Sequence, residues 1–191
     1  MSVNPITIDE LIIASQHVDY ELRQLIFCAL QMNAMESNYP GGSLNGFPEL
    51  SDQLMFNTFI TAFTVHARNL YCFLYNDEPT KEKKNENGKA KIYRDITADL
   101  FFNSRSEWTG IRPPVQRVLK AGASYLVNNH SAHLTMRRAK RKPPRVRYPG
   151  LMLGLIRLMG IFVEYALWER LDPFFIDTIY LALEDPASAL I

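Results

Sequence analysis

The stretch RPPVQRVLKAGASYLVNNHSAHLTMRRAKRK, residues 112–142, decides how this chain is read. Pro113 and Pro114 suit a helix start, because a missing N–H costs nothing in the first turn. From there Val115, Val118, Leu119, Gly122, Leu126, Asn129 and His133 recur at spacings of three and four, which is one face of an α-helix. The face begins aliphatic and ends in Asn129 and His133. A stripe that a helical fold buries thus carries an amide and an imidazole one turn apart. Directly after it come Arg137, Arg138, Lys140, Arg141, Lys142, Arg145 and Arg147, with no acid among them.

On the N-terminal side, Thr7 and Glu10 have the spacing of a capping box, and Asp9 adds negative charge to the first turn. Leu11, Ala14, Val18, Leu22, Leu25, Ile26 and Ala29 continue at helical spacing, predicting a first helix to about Met35. Asn38 to Gly42 end it by turn chemistry. Ser51 is positioned to cap a second helix to about Tyr75, with Phe56, Phe59, Ile60, Phe63, Ala67, Leu70 and Leu74 as its apolar stripe. His66 stands at the edge of that stripe, Asn69 lies three residues on, and Arg68 lies at the flank or in solvent. Residues 77–90 read as a charged, mobile loop. Residues 91–111, with Leu100, Phe101, Phe102 and Trp108, read as a packed crossover holding a short helix or turn. Asp95, Asp99 and Glu107 are scattered over it without a spacing that pairs two carboxylates.

On the C-terminal side, Tyr148-Pro149-Gly150 reads as a stiff break. A fourth helix follows over 151–169, carrying Leu151, Leu155, Leu158, Phe162, Tyr165 and Ala166 at helical spacing. Its apolarity raises a membrane question, but Arg157, Glu164 and a length just under a span argue for a core helix. Asp172-Pro173 stops it, and residues 174–183 predict a short final helix. Helical spacing dominates throughout. The expected fold is all-α, a four-helix bundle in one domain over 1–191, with a long crossover between helices 2 and 3 and short accessory helices.

Composition narrows the function classes. The 191 residues are 47% hydrophobic and 21% charged, with a net charge of +1, so no chain-wide charge draws nucleic acid or membrane. The positive charge is instead concentrated in residues 137–147. Cys28 and Cys72 sit among apolar neighbours in different predicted helices, which suits buried thiols in a reducing compartment. The N-terminus lacks a charged start followed by an apolar run. A cytoplasmic location without membrane attachment is expected.

Asn129 and His133 admit two readings. They form a core hydrogen-bond network, with His66 or Asn69 of the second helix as partners, or His133 is a general acid or base held by an amide neighbour. A metal held by His66, His130 and His133 is disfavoured, because no carboxylate lies on the same stretch; no metal or cofactor is expected. The basic run is either a solvated face or a phosphate-binding segment.

HARNLY at 66–71, the aromatic crossover and NNHSAHLT at 128–135 resemble an uncharacterised group of small bacterial helical proteins and, more distantly, the HEPN superfamily of helical bundles. Many HEPN proteins are metal-independent RNases, whose motif is an Arg followed four to six places later by a His on a helix at a dimer interface. The resemblance implies that His133 is the acid/base and that the protein is a homodimer that binds or cleaves RNA. Asn128 stands where the motif has Arg, so Arg68 or Arg137 must supply the cation, or the RNase is degenerate. Asn129 and Asn128 then orient His133, His66 and Asn69 support it, and the 137–147 run engages phosphates. The alternative is a non-catalytic interaction module whose Asn/His cluster is structural.

Overall fold

Thr7 opens the first helix as its sequence requires. The Thr7 hydroxyl accepts from the Glu10 backbone N–H and the Glu10 carboxylate accepts from the Thr7 N–H, so two orphan donors of the first turn are satisfied reciprocally. In the computed structural model, which describes residues 6–39, 49–76, 80–84, 90–114 and 148–191, this helix, α1, spans Ile8–Asn38. The expected helix beyond Pro114 and the basic run to Arg147 lie outside the described residues. The body is all-α. Among the described residues it contains α1, α2 (Leu50–Tyr75), α3 (Arg105–Ile111), α4 (Tyr148–Tyr165) and α5 (Pro173–Glu184).

All seven apolar positions predicted for the α1 core are buried. In α2 the stripe is buried at Phe63, Ala67, Leu70 and Leu74, while Phe56, Phe59 and Ile60 are only partly covered. The cap at the start of α2 differs from expectation. Glu49 occupies the N-cap without a side-chain bond to the backbone, and Ser51 lies inside the helix with its hydroxyl directed to the Glu49 carboxylate.

The crossover differs most. A β-hairpin, β1 (Thr80–Lys84) against β2 (Ala90–Arg94), pairs antiparallel from Thr80↔Arg94 to Lys84↔Ala90, where a loop was expected over 77–90. Asn87-Gly88, a dipeptide that hairpin turns favour, stands between the strands in the sequence. Next come a 3₁₀ turn (Ala98–Phe101) and α3, opened by a second capping box from Ser104 and Glu107. Phe101, Phe102 and Trp108 are buried, so the crossover is packed as expected.

Tyr148-Pro149-Gly150 is not a break but the first turn of α4, where proline's missing N–H leaves nothing unsatisfied. The helix ends at Tyr165, earlier than expected, and a 3₁₀ turn at Trp168–Arg170 leads onward. Asp172-Pro173 also acts as a start rather than a stop: the Asp172 carboxylate accepts from Phe174 N–H as N-cap of α5, with Pro173 in the first turn. Helix α4 is long and apolar enough to cross a membrane by length and composition. Here half of it is buried within the fold, and Arg157 and Glu164 are exposed, which is how a core helix packs.

Phe162 of α4 sits at the centre of the core. Its ring meets those of Phe73, Phe101, Phe102, Trp108 and Phe175 at centroid distances of 5.2 to 6.4 Å, mostly edge to face. Trp108 adds an indole N–H donated to the carbonyl of Leu74 at 2.9 Å, satisfying an acceptor in the last turn of α2. The C-terminal segment is tied to α1 by Arg23. This guanidinium pairs with Asp19 and donates to the Ala189 carbonyl and the Thr178 hydroxyl.

Candidate functional site

α1 and α2 pack side by side and bring together polar side chains that neither helix brings alone. His66 of α2 meets Glu21 of α1, with Nδ1 2.6 Å from Oε2 and side chains 15% and 24% exposed. An imidazole held at Nδ1 by a carboxylate keeps its proton on that nitrogen, so Nε2 is left to accept or transfer a proton. The Tyr20 and His66 rings pack edge to face at a centroid distance of 6.1 Å, a second contact on the imidazole.

Beside this pair lies a cleft of about 200 Å³ between the two helices. Ala14, Val18, Leu70, Phe73 and Ile96 form its apolar walls, and His17, Glu21 and Asn69 supply its polar groups. His17 and Glu21 are four residues apart on α1, hence on one face, and Asn69 reaches the cleft from α2. The Glu21 Oε1 atom and the side chains of His17 and Asn69 make no hydrogen bond among the described residues. Arg68, next to Asn69, is exposed, in keeping with its expected place at the flank of α2.

The residues singled out from the sequence are therefore placed unevenly. His66, Arg68 and Asn69 are described. Asn128, Asn129, His133 and the cations Arg137, Arg138, Lys140, Arg141, Lys142, Arg145 and Arg147 lie outside the described residues, as does His130. The partner that His66 does have, Glu21, was not foreseen, and neither was His17. The signal that was available was their four-residue spacing on one edge of α1, beside a stripe of core positions.

Two further expectations need correction or placement. Cys28 is buried, and burial raises its thiol above the usual range, but Cys72 is exposed, because its position falls on the outer face of α2. Asp99 and Glu107 act locally: Asp99 accepts from the Thr97 hydroxyl, and Glu107 belongs to the α3 capping box. Among the described residues no three His, Cys, Asp or Glu side chains gather as a metal site.

The fold and this centre define a class, an all-α protein with a carboxylate–imidazole pair at the rim of an interhelical cleft. In comparisons with known proteins, the chain has no significant match to a family model, a curated protein or a solved structure.

Proposed function

We propose that the chain is a HEPN-like helical-bundle protein that binds or cleaves RNA as a homodimer. The observation that carries this reading is the Glu21–His66 pair beside the cleft, with Asn69 of α2 in the cleft lining. An oriented imidazole and an amide are groups that acid/base chemistry uses, and exposed Arg68 on the same helix is free to meet a phosphate from solvent. In this reading His133 is the acid/base, Asn128 and Asn129 orient it, Arg68 stands in for the missing motif cation, and residues 137–147 hold phosphates. His66 and Asn69 then support the centre from α2.

The same proposal completes a four-helix bundle with the predicted 112–142 helix. Pro113 is fastened at the C-terminal end of α2, where its carbonyl accepts from the Tyr75 hydroxyl at 3.0 Å. Tyr148 rejoins halfway along α2, its ring 6.2 Å from that of Phe63.

The deciding experiment is an RNase assay of wild type against His133→Ala. Loss of cleavage on this substitution is expected, and cleavage unchanged by it discards the catalytic role. The second reading is a non-catalytic interaction module, favoured by the partial burial of the Glu21–His66 pair, which ties α1 to α2 as a structural bond does. It wins if His133→Ala lowers the melting temperature sharply while no cleavage is found in either protein.

A further inference from the structure

The cleft between α1 and α2 has a size and a polarity that specify a ligand. Its volume of about 200 Å³ is below the range of roughly 300 Å³ and upward typical of drug-sized ligands, so it accommodates a single ring system. Two sides are apolar, with Val18 of α1 and Leu70 and Phe73 of α2 among the walls. Its polar groups come from both helices, His17 and Glu21 from α1 and Asn69 from α2. Glu21 is held through Oε2 by His66, which leaves Oε1 as an oriented acceptor. Asn69, across the cleft, has an amide that both donates and accepts.

A flat group with two apolar faces and an N–H-bearing edge matches this arrangement, and a nucleobase with an exocyclic amine is such a group. Carboxylates accept from base amines, and an Asn amide pairs with an edge that both donates and accepts. Uracil has no exocyclic amine; its one edge donor, N3–H, lies between two carbonyl oxygens, so pairing it with Glu21 sets lone pairs beside the carboxylate. A base inside a duplex cannot enter a cleft of this kind, whereas a splayed-out base of single-stranded RNA can. We propose that the α1/α2 cleft binds one unpaired, amino-bearing base of single-stranded RNA and rejects uracil. This assignment rests on the RNA reading above and names its substrate class.

The test is the binding of fluorescently labelled oligo(A), oligo(C) and oligo(U) of equal length by the full-length protein at one salt concentration. Oligo(A) and oligo(C) are expected to bind on the order of tenfold more tightly than oligo(U), the lower range for one good base contact. Glu21→Gln keeps an acceptor for His66 and adds an amide donor, so it should narrow that preference. Asn69→Ala, at an exposed position, should weaken oligo(A) and oligo(C) more than oligo(U) and so narrow the preference, and it carries the test alone if Glu21→Gln melts early. Equal binding of all three oligonucleotides, unaltered by either substitution, overturns the base-site assignment and leaves the RNA reading standing. Failure of all three to bind removes the RNA reading itself, and the base site with it.

Discussion

Tyr148 donates its hydroxyl to the Glu36 carboxylate at 2.6 Å from a position only 5% exposed. Burial first, and then the carboxylate, push its phenol well above the usual tyrosine range. The folded state therefore favours the protonated phenol. Its stabilisation is fully present below the unfolded value of about 10 and is lost as pH rises from there through the folded value. Denaturant titrations across this alkaline range should show stability falling with pH in wild type and falling less steeply in Tyr148→Phe. Tyr75, also raised by its burial, leaves a residual slope. Equal slopes in the two proteins remove the link. At this scale the sequence was partly legible. It placed His66 on a stripe edge, yet the partner lies 45 residues away on α1, and no local spacing reports a contact that depends on how two helices align.

Helix starts and stops were legible where a short motif sets them. The Thr7–Glu10 box, the burial of the α1 stripe and the end of α2 at Tyr75 follow from interactions within a turn or two. Pro149 and Pro173 were misread as breaks because proline both ends one helix and opens the next, and its direction depends on what precedes it. Asp172 shows the consequence. Besides capping α5, its carboxylate accepts from the Gln16 amide at 2.7 Å, and its N–H donates to the Ser15 hydroxyl at 2.8 Å, which seats α5 on α1. Asp172→Ala should destabilise the fold by about 1 to 2 kcal/mol, while Asp172→Asn, an equally good cap, should recover most of that. Thermal or urea unfolding of both variants reads the difference, and equal losses for Ala and Asn would show that capping is not the cause. The hairpin was missed because residues 80–94 are charged and lack the apolar alternation by which strands are recognised, leaving only Asn87-Gly88 as a signal.

For the whole molecule, the net charge of +1 hides a local concentration of cations, and a role in RNA binding has a measurable consequence. Each phosphate neutralised on a single strand contributes about −0.7 to the slope of log affinity against log salt. Replacing Arg137 and Arg138 together by Ala should therefore make that slope shallower by about 1.4 if both meet phosphates. An affinity insensitive to added salt discards the role of the basic run. The sequence by itself determined that the chain is helical, where α1 and α2 run and which of their positions face inward, because caps and the 3.6-residue period act through neighbours along the chain. Only the tertiary structure decided that Glu21 holds His66, that Trp108 reaches the Leu74 carbonyl and that Arg23 clasps the C-terminal segment. Those contacts depend on the relative register and rotation of separate helices, and these are set by core packing around Phe162, not by any local run of residues.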